Sequence, residues 1–141
     1  MESIMSPQQM IEMFTVKVES GHTIEQISSK ISAACETYKF SLLQTYVYHE
    51  ILESKGFPIK RKVFIYEICQ AKVAALMLTD HPEFSVFMPC KISIYENEGK
   101  TILSTMNMEL VLGALENNKV LFSETMRLFN SLKEMLNSLA L

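Results

Sequence analysis

The chain has 141 residues, 48% hydrophobic and 21% charged, which is the composition of a soluble globular protein of about one domain. Its formal net charge of -3 argues against a nucleic-acid binder, which needs clustered Lys and Arg to neutralise phosphates. No apolar run approaches the roughly 18 residues of a membrane span, and Met1-Glu2-Ser3-Ile4 lacks the basic and apolar regions of a secretory signal.

The only short basic cluster, Lys60-Arg61-Lys62, sits at a strand entrance and reads as a solvated loop. Three cysteines, an odd count, fit a reducing compartment better than a disulfide framework. The expected location is therefore cytoplasmic. There is no Cys-x-x-Cys and no zinc-type Cys/His spacing.

Residues 1–11, with Pro7, Gln8 and Gln9, read as a loose or partly helical extension to a single domain over residues 12–141. Phe14, Val16 and Val18 alternate with Thr15, Lys17 and Glu19, which predicts a strand with one buried face. After the turn at Gly21-His22, Thr23 and Gln26 form a capping box. One helix is expected to run from there to about Tyr38, with Ile24, Ile27, Ile31, Ala34, Cys35 and Tyr38 on its apolar stripe.

Phe40 to Tyr48 has strand composition. His49 to Lys55 reads as a short helix stopped by Gly56. From Lys62 to Cys69 both alternating sets are apolar except at Glu67, so this strand is expected to be central and covered on both faces. Ala71 to Leu78 is helical, with Val73, Ala74, Met77 and Leu78 inward, and His81-Pro82 ends it.

Lys91–Asn97 and Lys100–Met106 form a hairpin around Asn97-Glu98-Gly99. Asn107 is the expected N-cap of a segment from Met108 to Leu115, closed by Asn117-Asn118. A final helix from about Leu121 to Leu139 carries a wide apolar stripe that suits packing on a sheet or on a second subunit. The order of elements, with a hairpin and no regular βαβ alternation, points to α+β: helices stacked on one face of a single antiparallel sheet, with a long C-terminal helix.

Two cysteine motifs carry a resemblance. Ile68-Cys69-Gln70-Ala71-Lys72-Val73-Ala74 and Met88-Pro89-Cys90-Lys91-Ile92-Ser93-Ile94-Tyr95, with Glu98-Gly99-Lys100-Thr101 as a hairpin tip, resemble the domain of unknown function 302 family over about residues 12–138. The family's Asn-Pro after the first cysteine is Gln70-Ala71 here, and the proline after its last strand is missing from Met106-Asn107-Met108. The resemblance implies an α+β fold related to half of a TATA-binding-protein-like domain, commonly a homodimer. It implies no settled biochemical activity.

If the strands ending at Cys69 and starting at Cys90 are antiparallel neighbours, both thiols lie at one sheet edge. Cys69 also precedes a helix N-terminus and is near Lys72, which would stabilise a thiolate. Cys69, Lys72 and Cys90 are therefore the candidate site, with Tyr66, Glu67 and Pro89 beside them. Free cysteine is also among the most buried residue types, so the reading of both thiols as buried structural residues is favoured over a functional thiol.

No phosphate-binding loop, nucleophile elbow or paired-carboxylate spacing is present, and Asp80 is the only aspartate. No motif names a cofactor or completes a catalytic set. Two readings remain. One is a homodimeric module that holds a small ligand or a protein partner. The other is thiol chemistry at Cys69 and Cys90, as redox or sulfur handling or as a thiolate ligand to haem or metal.

Overall fold

The computed structural model describes residues 4–141. Five strands form one antiparallel sheet: β1 Thr15–Ser20, β2 Ser41–Val47, β3 Val63–Cys69, β4 Cys90–Asn97 and β5 Lys100–Met106. Their order across the sheet is β1-β5-β4-β3-β2, so the hairpin β4–β5 lies inside and β1 and β2 form the edges.

Among the described residues seven α-helices accompany the sheet: α1 Pro7–Phe14, α2 Ile24–Ser28, α3 Ile31–Thr37, α4 Tyr48–Ser54, α5 Ala71–Asp80, α6 Glu109–Leu112 and α7 Lys119–Ala140. Two 3-10 turns, Pro82–Phe87 and Gly113–Leu115, follow α5 and α6.

Register fixes which residues share a face. Phe64, Tyr66 and Ile68 on β3 lie opposite Ile94, Ile92 and Cys90 on β4, and Ile94 lies opposite Leu103 on β5. Val18 of edge strand β1 pairs with Leu103 and completes this row. These residues form the inner face, and α7 lays Leu128, Leu132, Met135, Leu136 and Leu139 on it. Ile24, Ile27, Ile31 and Cys35 from α2 and α3 fill the rest of this main cluster.

The C-terminus of α7 is tied to the end of β1, where the Ser20 hydroxyl donates to the Ala140 carbonyl at 2.7 Å. A second, smaller cluster stands apart: Met77, Phe84, Leu112, Leu115 and Leu121, drawn from α5, the 3-10 turns, α6 and the first turn of α7.

Several expectations are corrected. The helix expected over residues 23–38 is broken at Ser29-Lys30 into α2 and α3. The hydroxyls of Ser28 and Ser29 donate to the carbonyls of Glu25 and Gln26, and such local bonds compete with helix propagation. The apolar stripe survives the break because Ile24, Ile27, Ile31 and Cys35 are all buried.

β3 is not covered on both faces. Tyr66 and Ile68 are buried, but Val63, Ile65 and Glu67 on the opposite face are only half-buried. β3 pairs with edge strand β2 on one side, and the central strand is β4.

Phe14 ends α1 instead of opening β1. Ser6 and Gln9 make a capping box, and Pro7 stands at the first helical position, which starts a helix through most of the expected extension. Residues 1–3 of that extension lie outside the described residues.

Asn107 does accept from the Glu109 amide at 3.2 Å, but the segment it opens is a single α-turn followed by a 3-10 turn. Asn118, expected to close that segment, instead caps α7 by accepting from the Leu121 amide at 3.1 Å. Leu78, expected to point inward, is 38% exposed. The turn at Pro82–Phe87 had no sequence signature of a regular element.

Phe129 is fully enclosed at 0% exposure, whereas Val120 on the same helix is 69% exposed. Phe129→Ala is therefore expected to lower unfolding free energy by about 3–5 kcal/mol. Val120→Ala should stay within ~0.5 kcal/mol. Equilibrium urea denaturation checks both; similar losses for the two variants would contradict this packing of α7.

Candidate functional site: an apolar cavity between two core clusters

The two clusters do not close on each other. A cavity of about 480 Å³ separates them at the end of the sheet where β3 finishes and β4 begins. Ile68, Val73 and Leu128 wall it on the main-cluster side, and Met77, Phe84 and Met88 on the other. Met108 packs against both clusters and bridges them. Leu43, Val86 and Phe87 also line the cavity and are 55%, 78% and 43% exposed, which marks its mouth.

Each wall has a sequence cause. α5 turns Val73 and Met77, four residues apart, toward the interior. Past His81, Pro82 starts a tight 3-10 turn that carries Phe84 and Phe87, whose rings meet edge-on with centroids 5.7 Å apart. The chain then passes Met88 and Pro89, joined by a cis peptide bond, into β4. On edge strand β2 a register shift between Leu42 and Gln44 leaves Leu43 out of the pairing, and such bulges re-aim side chains.

The hydroxyl and amide donors that line the cavity are already engaged. The Thr105 hydroxyl donates to the Lys91 carbonyl and the Thr125 hydroxyl to the Leu121 carbonyl, at 2.7 and 2.8 Å. The Gln70 amide donates to the Tyr38 carbonyl at 3.3 Å. Among the described residues no buried side-chain nitrogen or oxygen lacks a partner.

The residues singled out from sequence divide into three groups. Cys69, Cys90 and Pro89 line the cavity. Lys72 is exposed on α5 and does not line it. Tyr66 is a core residue: 3% exposed, its ring is stacked on Phe64 at 6.2 Å, and burial pushes its hydroxyl pKa up to about 12. Glu67 faces the open side of the sheet, where it accepts from the Tyr46 hydroxyl at 2.6 Å and stands 3.9 Å from the Lys91 ammonium.

The two thiols share one end of the sheet, and both residues line the cavity. Cys90 is paired with Ile68 on the inner face, and Cys69 ends β3 beside it. All three cysteines are free thiols. Burial, and secondarily the neighbouring Cys69, pushes the Cys90 pKa up to about 11. At neutral pH Cys90 is therefore a protonated thiol, a poor nucleophile and a poor anionic ligand.

Sequence reasoning missed Met77, Phe84, Phe87, Met88, Met108 and Val111, which supply much of the wall. The available signal was a dense apolar run, Phe84, Val86, Phe87 and Met88, in a stretch without helix or strand periodicity.

The raised Cys90 pKa makes stability fall at high pH. The unfolded thiol ionises near pH 9 and the folded one near 11, so its contribution is complete below about pH 9 and is lost as pH rises through that window. The size is up to ~3 kcal/mol. Urea denaturation at pH 8 and pH 10.5 should show a smaller loss in Cys90→Ala than in the unmodified chain; identical pH profiles would contradict the assignment.

Comparisons with known proteins place this architecture. The model of the family described as domain of unknown function DUF302 matches residues 14–139. A solved structure, the crystal structure of an uncharacterised conserved DUF302 protein from Bacillus stearothermophilus, superposes with a TM-score of 0.77 at 22% identity. The alignment covers 89% of this chain and 97% of that one. No curated protein matches. A family match spanning nearly the whole chain, over the same sheet and helices, makes this chain a member of the DUF302 family.

Proposed function

We propose that this protein is a small-ligand-binding module and that the cavity between its two core clusters is the binding site. The observation that carries this reading is the cavity itself. Protein interiors pack with few voids larger than a water molecule, whereas about 480 Å³ lies within the range of sites that hold organic ligands. The mouth is apolar, and the wall residues come from short turns and methionines that can repack around a guest.

Thiol chemistry has less support. Burial keeps Cys90 protonated at neutral pH, which makes it a poor nucleophile. No cluster of three or more His, Cys, Asp or Glu suited to a metal is found among the described residues.

The proposal includes a second copy of the chain as partner. The open face of the sheet carries half-buried Val63, Ile65 and Tyr95 on neighbouring strands. Lys17 and Lys91 lie on that face with Glu19 and Glu67, a balance of signs that a two-fold axis can pair with itself.

Ala74 lines the cavity from α5, so Ala74→Phe should fill it. In thermal melts with a panel of small apolar molecules, at least one should stabilise the unmodified protein, by ~2.7 kcal/mol at a hundredfold excess over Kd. Ala74→Phe should weaken that molecule at least tenfold while folding normally. No stabilisation by any member, or equal binding by the variant, would remove the cavity from consideration. Sedimentation equilibrium tests the partner: a dimer is expected, converted to monomer by Ile65→Glu. A monomeric unmodified chain would contradict it.

A further inference from the structure

Resting on that reading, we infer that the ligand is an uncharged aromatic molecule, taken into the cavity by its ring system. Two observations narrow the class. The first concerns charge. The hydroxyls of Thr105 and Thr125 are committed to backbone carbonyls, and no buried polar side-chain atom among the described residues waits for a partner. Lys91 is the one cation among the lining residues, and its ammonium lies toward Glu67 with the side chain 57% exposed. An anion in this cavity would lose its hydration without gaining a buried partner, which disfavours its entry.

The second observation concerns the walls. Met77, Met88, Met106 and Met108 line the cavity together with Phe84 and Phe87. Thioether sulfurs make favourable contacts at the edges of aromatic rings, and the edge-on Phe84–Phe87 pair offers ring faces and edges to a third ring. A saturated chain gains burial from these walls but neither of those contacts. A soft metal ion would need several ligands converging on one point, whereas Cys90 is protonated at neutral pH and no cluster of three or more His, Cys, Asp or Glu suited to a metal is found among the described residues.

The test uses 1-aminoanthracene, uncharged at neutral pH, as a fluorescent probe of the full chain. It should bind with enhanced, blue-shifted emission. Decanol and palmitate should displace it at least tenfold less well than unlabelled anthracene derivatives do, and 1-anilinonaphthalene-8-sulfonate should bind more weakly.

Met88→Leu with Met108→Leu, which conserves volume, should lower 1-aminoanthracene affinity roughly threefold to tenfold and leave decanol within about twofold. Preferred binding of decanol, palmitate or the sulfonate, or an unchanged double variant, would overturn the aromatic assignment while the cavity remains a binding site. If no probe of any class binds and Ala74→Phe changes nothing, the ligand-binding reading falls with it.

Discussion

The architecture depends on one packing contact, α7 laid along the inner face of the sheet. The helix has 22 residues, about 33 Å at 1.5 Å per residue. The strands beneath it have six to eight residues, about 20–26 Å. Even parallel to the strands, α7 outruns the sheet. Its C-terminus is held at the end of β1 by the Ser20–Ala140 bond, so the excess falls at its N-terminal turns. There Leu121 packs with Met77, Phe84, Leu112 and Leu115, none of which lies on a strand. The second cluster exists because the helix has apolar surface that no strand can cover, and the cavity is the seam between what the sheet covers and what it does not.

That seam accounts for the behaviour expected of the site. The main cluster is held by antiparallel pairing across five strands and by the long stripe of α7. The second cluster is held by short turns and methionines, which belong to the low-stability end of a fold. A guest that touches both clusters would couple them. Cys90 sits at the junction as part of the wall, and its burial, which keeps it protonated, is the same burial that makes the cavity apolar.

Periodic elements were legible in the sequence. The alternation of Val16 and Val18, the hairpin about Glu98-Gly99 and the stripe of α7 each record one buried face, and that record is what strand and helix patterns encode. Gly99 takes positive φ at the tip, as its residue type indicates, whereas the positive φ of Glu98 had no such signal. The coverage of β3 was not legible in this way. Val63, Ile65 and Phe64 are apolar on both faces, and composition cannot distinguish a face covered within the chain from one left open. The two cysteine motifs lie at the end of the sheet where the cavity opens, and Cys69, Pro89 and Cys90 line it. Lys72 was drawn in by proximity in sequence but stands exposed on α5, and Tyr66 shares the inner face with Ile68 but is enclosed in the main cluster, away from the cavity wall. The rest of the wall was hidden because a void is a property of elements that fail to meet. Met88 and Met108 are twenty residues apart and show no pattern that joins them.

The central claim, that the gap between the clusters accepts a ligand, is tested most directly by a crystal structure of the protein grown with 1-aminoanthracene. The account predicts the probe between Met88, Met108 and Phe84, with Leu128 beneath it and the five strands unmoved. A structure in which these side chains have closed on one another, with the probe absent or bound elsewhere, would contradict it.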